Sequence, residues 1–347
     1  MNMIESQHLI GGLIVAAAFA AYTPRTTSAE NIPLNDLRTP SAPGFVILGM
    51  EPTSVERPMT PRAFAVSLAS AASNPEALPR DYAIEGSPYW LMPHDDLTYD
   101  DYYSNDPLRN VYRNLSLSIA VSKDEALADS LAIDTRIGVG VRTLLFRGRD
   151  DPKFLENLNV MQMKILNAST EAEEDSTAAE IKELIQNKDN QPFGFSLEIA
   201  GAVGFHVPEN DTEKGKAYKG GIWVTPTYRP TSNGQIQFLG VFRSLVEDGV
   251  RPRFDVGFRL LWFATDRIAI SAEHVSRIGD IPGTDQQDTY RIAGIVDYRL
   301  SEDLYLTATF GRNFENPAGG GDLLARLGVD FGFGDKPSVK TPSGGNI

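Results

Sequence analysis

The chain contains no cysteine, only four histidines, and fewer basic than acidic residues, with 32 Lys and Arg against 46 Asp and Glu in 347 positions. Without cysteine there are no disulfides, no thiolate metal sites and no cysteine nucleophile. A net charge of −14 argues against nucleic acid as a partner, because binding it requires clustered Lys and Arg. Beyond the N-terminus no run of 18 apolar residues occurs, which excludes helical membrane spans. It does not exclude a membrane protein, because a β-barrel spreads its apolar residues over every second position.

What the chain has instead is strict alternation. Asn114–Ser122 switches between apolar and polar or small side chains at every residue, and Arg253–Trp262 sets Phe, Val, Phe, Leu and Trp against Asp, Gly, Arg and Leu. Strand side chains point to opposite faces with period two, so each segment has one oily face and one wet face. The segments are also long: soluble strands average about five or six residues, whereas a tilted membrane strand needs roughly 9–11. Twelve such segments are read: Arg62–Ala71, Arg80–Leu91, Asn114–Ser122, Asp134–Arg147, Gln191–His206, Lys216–Arg229, Gln235–Leu245, Arg253–Ala264, Arg267–Arg277, Thr289–Leu300, Leu304–Arg312 and Leu323–Phe333. The expected fold class is all-β, an antiparallel transmembrane barrel of about 12 strands with a helical insert near 150–190. An exported soluble β-sandwich with its oily face inward gives the same periodicity and is the competing reading.

The organisation follows from the same pass. Residues 1–29 read as a signal peptide, with an apolar stretch from Leu9 to Ala21 too short to span and small residues after it. Residues 30–60 hold Pro33, Pro40, Pro43, Pro52 and Pro58, a proline density that prevents ladder pairing. They are expected as a periplasmic lead-in or as a plug in the barrel mouth. Residues 61–335 form the barrel and 336–347 a flexible tail. Within the insert one helix starts at Asp151-Pro152 and puts Phe154, Leu155, Leu158, Met161 and Ile165 on one side. A second starts at the capping-box pattern Thr177-Ala178-Ala179-Glu180. If the chain ends in the periplasm, counting strands back puts the insert on the periplasmic side, where it is either a plain decoration or an element that docks a periplasmic partner.

The expected lipid face includes Val139, Phe195, Ile199, Phe254, Phe258, Trp262, Ile292 and Phe331, with Tyr228, Trp262, Tyr298 and Phe333 near strand ends, where aromatic girdles belong. Charges fall on the other face. Arg142, Glu198, Arg243, Asp255, Arg259, Glu273, Arg277, Asp297, Arg299, Arg326 and Asp330 are the candidate pore-lining residues. One register of the hairpin around Ala264–Ile268 sets Arg259 opposite Glu273 and Asp255 opposite Arg277, two opposite-sign pairs together.

Thr60–Ala65, Leu78–Glu85 and Pro88–Leu91 are similar to segments of a porin-like group of Gram-negative outer-membrane β-barrels, and the resemblance covers roughly residues 60–335. It implies an outer-membrane location, the lipid bilayer and the outer-membrane assembly machinery as partners, and no cofactor. The chain departs from the group in carrying a polar stretch, Gly334–Ile347, after the aromatic Phe333.

No catalytic, cofactor or metal constellation is read, and the chain is not expected to be an enzyme. Of the histidines, His8 lies in the signal, His94 and His206 at loop ends, and His274 beside Ser276; a barrel hydrolase needs Ser, His and a polar orienter together. The acidic string Asp95-Asp96 to Asp100-Asp101 lacks EF-hand spacing, and Gly138-Val139-Gly140 and Gly319–Gly321 lack the Lys-Ser/Thr of a phosphate loop. The expected function is a narrow channel or translocator for ions or small polar solutes. A non-conducting structural or docking barrel that binds a periplasmic or surface partner is one alternative, and a barrel-embedded hydrolase the other.

Overall fold

In the computed structural model, described residues are 31–33, 42–56, 64–71, 81–92, 94, 97, 102, 106–125, 133–148, 152–186, 193–208, 211–232, 235–279, 288–301, 303–314, 323–333 and 338–340. The signal segment, most of the acidic string, Asp151, Gly319–Gly321 and most of the tail lie outside them. The elements are β1 (Asn31–Pro33), α1 (Pro43–Leu48), β2 (Phe64–Ala71), β3 (Asp81–Gly86), α2 (Pro107–Arg113), β4 (Ser116–Glu125), β5 (Ile133–Phe146), α3 (Pro152–Leu166), α4 (Glu171–Gln186), β6 (Gly194–Val207), β7 (Lys216–Arg229), β8 (Ile236–Glu247), β9 (Val250–Phe263), β10 (Ile268–Ile278), β11 (Asp288–Arg299), β12 (Leu304–Arg312), β13 (Leu323–Phe333) and β14 (Ser338–Lys340). Strands β2 to β13 form a closed antiparallel barrel of twelve, each paired with its sequence neighbours and β13 sealing against β2. β1 and β14 pair separately as a two-stranded sheet.

The alternation decides which way each strand faces. Phe254, Phe258 and Trp262 are 51, 61 and 50% exposed on the outside, while Asp255 and Arg259 between them are buried. A sandwich in water would do the reverse, so the solvent this surface is built for is hydrocarbon. Tyr228 and Trp262 are half-exposed at the barrel end that carries the start of β2 and the end of β13. Phe146 packs on Phe195 there at 5.5 Å between centroids, so this end has its aromatic girdle. Phe258→Arg, mid-strand on the outer face, is expected to cost about 2–4 kcal/mol, read by urea unfolding in lipid vesicles; an unchanged midpoint would mean Phe258 does not meet lipid.

Several expected boundaries move, among them the end of β4, at Glu125 and not Ser122, and two of the shifts have a visible cause. β3 stops at Gly86, not Leu91, because Pro88 adopts a right-handed helical backbone and Tyr89–Leu91 forms a 3-10 turn. β9 begins at Val250, not Arg253, because Asp248-Gly249, with Gly249 at φ +74°, makes a two-residue hairpin turn of the kind that favours Asp-Gly.

Helices α3 and α4 lie at the girdled end, as the strand count requires. Phe154, Leu158 and Ile165 of α3 and Ile181 of α4 pack with Leu97 and Tyr102 from the β3–β4 connection. Leu155 is exposed, not on the packed side. α4 starts at Glu171, not at Thr177, whose hydroxyl instead donates to the Glu173 carbonyl inside the helix. The capping box in use is Thr170-Glu171-Ala172-Glu173: Thr170 Oγ1 accepts from the Glu173 N–H, and the Glu173 carboxylate reaches back to Ser169. The Ser169 amide holds that carboxylate below its usual range.

Candidate functional site

The lumen is occupied. Residues 42–56 enter it as a short helix followed by an irregular segment with bends at Pro52, Ser54 and Val55, and nearly every residue of the stretch is buried. Six residues cannot hold a helix alone, so α1 exists because of what surrounds it. Pro43 starts it with a preset φ, the Gly44 N–H donates to Ser118 Oγ at 2.8 Å, and Gly49 at φ +73° ends it in a left-handed turn.

One half of the barrel wall is made of small residues. Ala69, Ala83, Ala120, Ala200 and Ala202 face inward and pack with Phe45, Ile47 and Leu48 of the helix. Gly138 and Gly140 let the backbones touch: a Cβ on Gly138 would overlap the Gly44 carbonyl oxygen, and one on Gly140 would lie 2.6 Å from Pro43 Cβ. Small inward residues on β2 to β6 thus form a groove shaped to one helix.

The other half is ionic and grips the bent segment that follows the helix. Arg326 donates to the Gly49 and Glu51 carbonyls at 2.5 and 3.0 Å, and Arg291 to Pro52 at 2.5 Å. Arg243 donates to Ser54 at 2.8 Å and Arg259 to Val55 at 3.4 Å. Glu273 Oε2 accepts from the Ser54 and Val55 N–H groups at 2.8 and 2.7 Å. These side chains also hold one another: Arg291 on Glu273 at 3.0 Å, Arg259 on Asp297 at 3.0 Å, and Arg277 on both Asp255 oxygens at 2.7 and 2.9 Å.

All eleven candidate residues stand on the inner face. Arg142, Glu198, Arg243, Asp255, Arg259, Glu273, Asp297 and Asp330 are buried, and Arg277, Arg299 and Arg326 are partly so. The hairpin register is as expected, Arg259 opposite Glu273 and Asp255 opposite Arg277, but only the second pair bonds. Glu273 turns to Arg291 and the plug amides, and Arg259 reaches Asp297 two strands away. Arg299 and Asp330 flank Tyr305 on the girdled side.

A second cluster joins three of these candidates to two residues not among them, Glu85 and Glu56. Arg142 bonds Glu85 at 2.8 Å and lies 3.9 Å from Glu198, and Glu56 from the plug reaches Arg243 at 3.8 Å. Glu85 was legible, since Ala83 and Glu85 alternate with Tyr82 and Ile84; Glu56 was not, because nothing local marks it as enclosed. Among the described residues no group of three or more His, Asp or Glu could hold a metal ion. His274 sits on the outer face between Phe258 and Tyr290, with ring centroids at 5.7 and 6.1 Å.

No protein-family model matches the chain, and no curated protein matches it. Among solved structures it is similar to the KdgM porin in complex with disordered oligogalacturonate, at 8% identity and TM-score 0.39, over 78% of this chain and 98% of that one. It is similar to the NanC porin at 7% identity and TM-score 0.40, over 78% and 100%. The outer-membrane protein Omp33 of Acinetobacter baumannii matches at 9% identity and TM-score 0.36, over 79% and 99%.

Proposed function

We propose that the protein is an exported outer-membrane barrel that passes ions or small polar solutes through its lumen and is held shut by its own residues 42–56. The observation that carries this reading is the pair of seats inside the wall, a small-residue groove for α1 and an ionic face for the segment that follows it. A core meant to stay filled would be apolar and interlocked. Here the segment after α1 is held by hydrogen bonds that water or a solute can replace. Seven residues separate Glu56 from Phe64, a tether of at most about 25 Å, long enough for the plug to move relative to β2. On this reading residues 1–29 are removed on export, and Phe333 serves the assembly machinery from an internal position.

Planar-bilayer recording tests it. The full chain is expected to be closed most of the time, and deletion of residues 42–56 to give discrete conductance steps. Silence from both, with each barrel folded by its heat-dependent gel mobility, would remove the channel. That outcome would favour a docking barrel, for which α3 offers exposed Val160, Met163 and Leu166 to a periplasmic partner.

A further inference from the structure

The wall from β8 to β13 touches the bent part of the plug, residues 49–56, through its main chain. Five carbonyls, of Gly49, Glu51, Pro52, Ser54 and Val55, accept from Arg326, Arg291, Arg243 and Arg259. Two consecutive amides donate to a single Glu273 oxygen. Two of its side chains are served less well: buried Thr53 Oγ1 has no hydrogen-bond partner, and Glu56 stands 3.8 Å from the nearest guanidinium nitrogen of Arg243. A wall shaped to this one sequence would have satisfied its buried polar side chains, as folded proteins do. This wall satisfies the backbone, which every polypeptide shares.

The site also does not depend on its occupant for its shape. Glu273 steadies Arg291, Asp297 steadies Arg259 with Ser271 at 2.9 Å, and Asp255 lies between Arg243 and Arg277. With the plug gone these ion pairs remain and keep the donors aimed inward, so a second ligand meets a preorganised surface. We infer that the arginine-lined half of the lumen is a binding site for the main chain of a bent polypeptide segment, and that residues 49–56 are its resident occupant. The inference rests on the gated reading above, because a second chain reaches the site only after the resident one has withdrawn. Its ligand class is an unfolded peptide segment presented main chain first, with little demand on side chains.

The test uses the barrel lacking residues 42–56 in detergent micelles and a fluorescent peptide of the sequence Gly49–Glu56. A second peptide carries Ala at positions 50, 53 and 54, and a third is N-methylated at the amides of 54 and 55. The first two are expected to bind within about threefold of each other. The third is expected to bind roughly tenfold or more weakly, since both hydrogen bonds to a charged acceptor are lost. Glu273→Gln in the barrel is expected to weaken the first peptide and to shrink its advantage over the third. No binding, equal binding of the methylated peptide, or loss of binding on the Ala changes would each overturn the inference. Peptide binding by a barrel that never conducts would keep it while removing the channel.

If the deletion variant does not fold, hydrogen exchange on the full chain decides. The Ser54 and Val55 amides are expected to stay protected in a variant with Ala at 50, 53 and 54, and loss of protection there would overturn main-chain recognition.

Discussion

Gly138→Val is expected to convert a closed barrel into one that conducts most of the time. Gly138 faces inward on β5, pairing with Ala120 and Gly204 on its neighbours. Valine suits a strand better than glycine does, so the barrel itself should form at least as readily. Its Cβ, however, would occupy the position of the Gly44 carbonyl oxygen. The obstacle on both sides is backbone, paired into the barrel on one and into α1 on the other, so neither yields by a rotamer change. The helix must then leave its groove and expose Phe45, Ile47 and Leu48, which are buried when seated. Their burial is worth about 1.5–3 kcal/mol each as an upper estimate, which is why eviction should be a large effect and not a graded one. Val139→Ala, one residue away but facing lipid, is the control and should stay closed. A Gly138→Val protein that folds with normal gel mobility yet is as silent as the parent would mean that the helix is not what closes the lumen.

Much of the barrel was readable because its information is local. Period two over ten to fourteen residues marks a strand whatever surrounds it, and Lys216–Arg229, Leu304–Arg312 and Leu323–Phe333 have the expected bounds. The alternation also fixes which charges face inward, since a slip of one residue would exchange the faces. It does not say which inward charges bond. Arg259 spans two strands to Asp297, and Glu273 is taken by Arg291 and two plug amides. A long side chain in a closed barrel chooses among diagonal partners that no hairpin register contains.

The plug left two weaker marks. The proline-dense stretch allowed it without choosing between plug and lead-in. The sharper mark was the distribution of inward residues, small at Ala120, Gly138, Gly140, Ala200 and Ala202 but ionic from Arg243 to Arg326. Gly138 and Gly140, which carry no motif in the sequence, are the seat of a helix, and only the juxtaposition of distant strands makes that visible. The start of α4 failed for a different reason. Two Thr-x-x-Glu patterns lie seven residues apart, Thr170–Glu173 and Thr177–Glu180, and either is compatible with the apolar spacing that follows. Packing of Ile181 against Leu158 and Ile165 leaves room for the longer helix, so the earlier box caps it.

Arg142→Met is expected to destabilise the barrel by about 3–5 kcal/mol, the usual cost of removing one partner from a buried ion pair, while Glu198→Gln should leave stability equal or higher. The asymmetry comes from counting. Glu56, Glu85 and Glu198 are all buried around Arg142, and the other cation within reach, Arg243, also serves Asp255 and the Ser54 carbonyl. Three carboxylates therefore share little more than one guanidinium. Glu85 holds the close geometry at 2.8 Å, whereas Glu198 lies 3.9 Å from the same arginine and its Oε1 has no hydrogen-bond partner. Removing the arginine strands every carboxylate in the cluster. Removing the charge at Glu198 relieves repulsion and gives up only a long contact. Urea midpoints of the two single variants and of Arg142→Met with Glu85→Leu form the comparison. The double variant should recover a large part of the loss, because an apolar pair in place of a buried ion pair is often neutral or better. If Arg142→Met proved harmless, or Glu198→Gln cost as much as Arg142→Met, the carboxylates would have to be compensated by something other than that arginine.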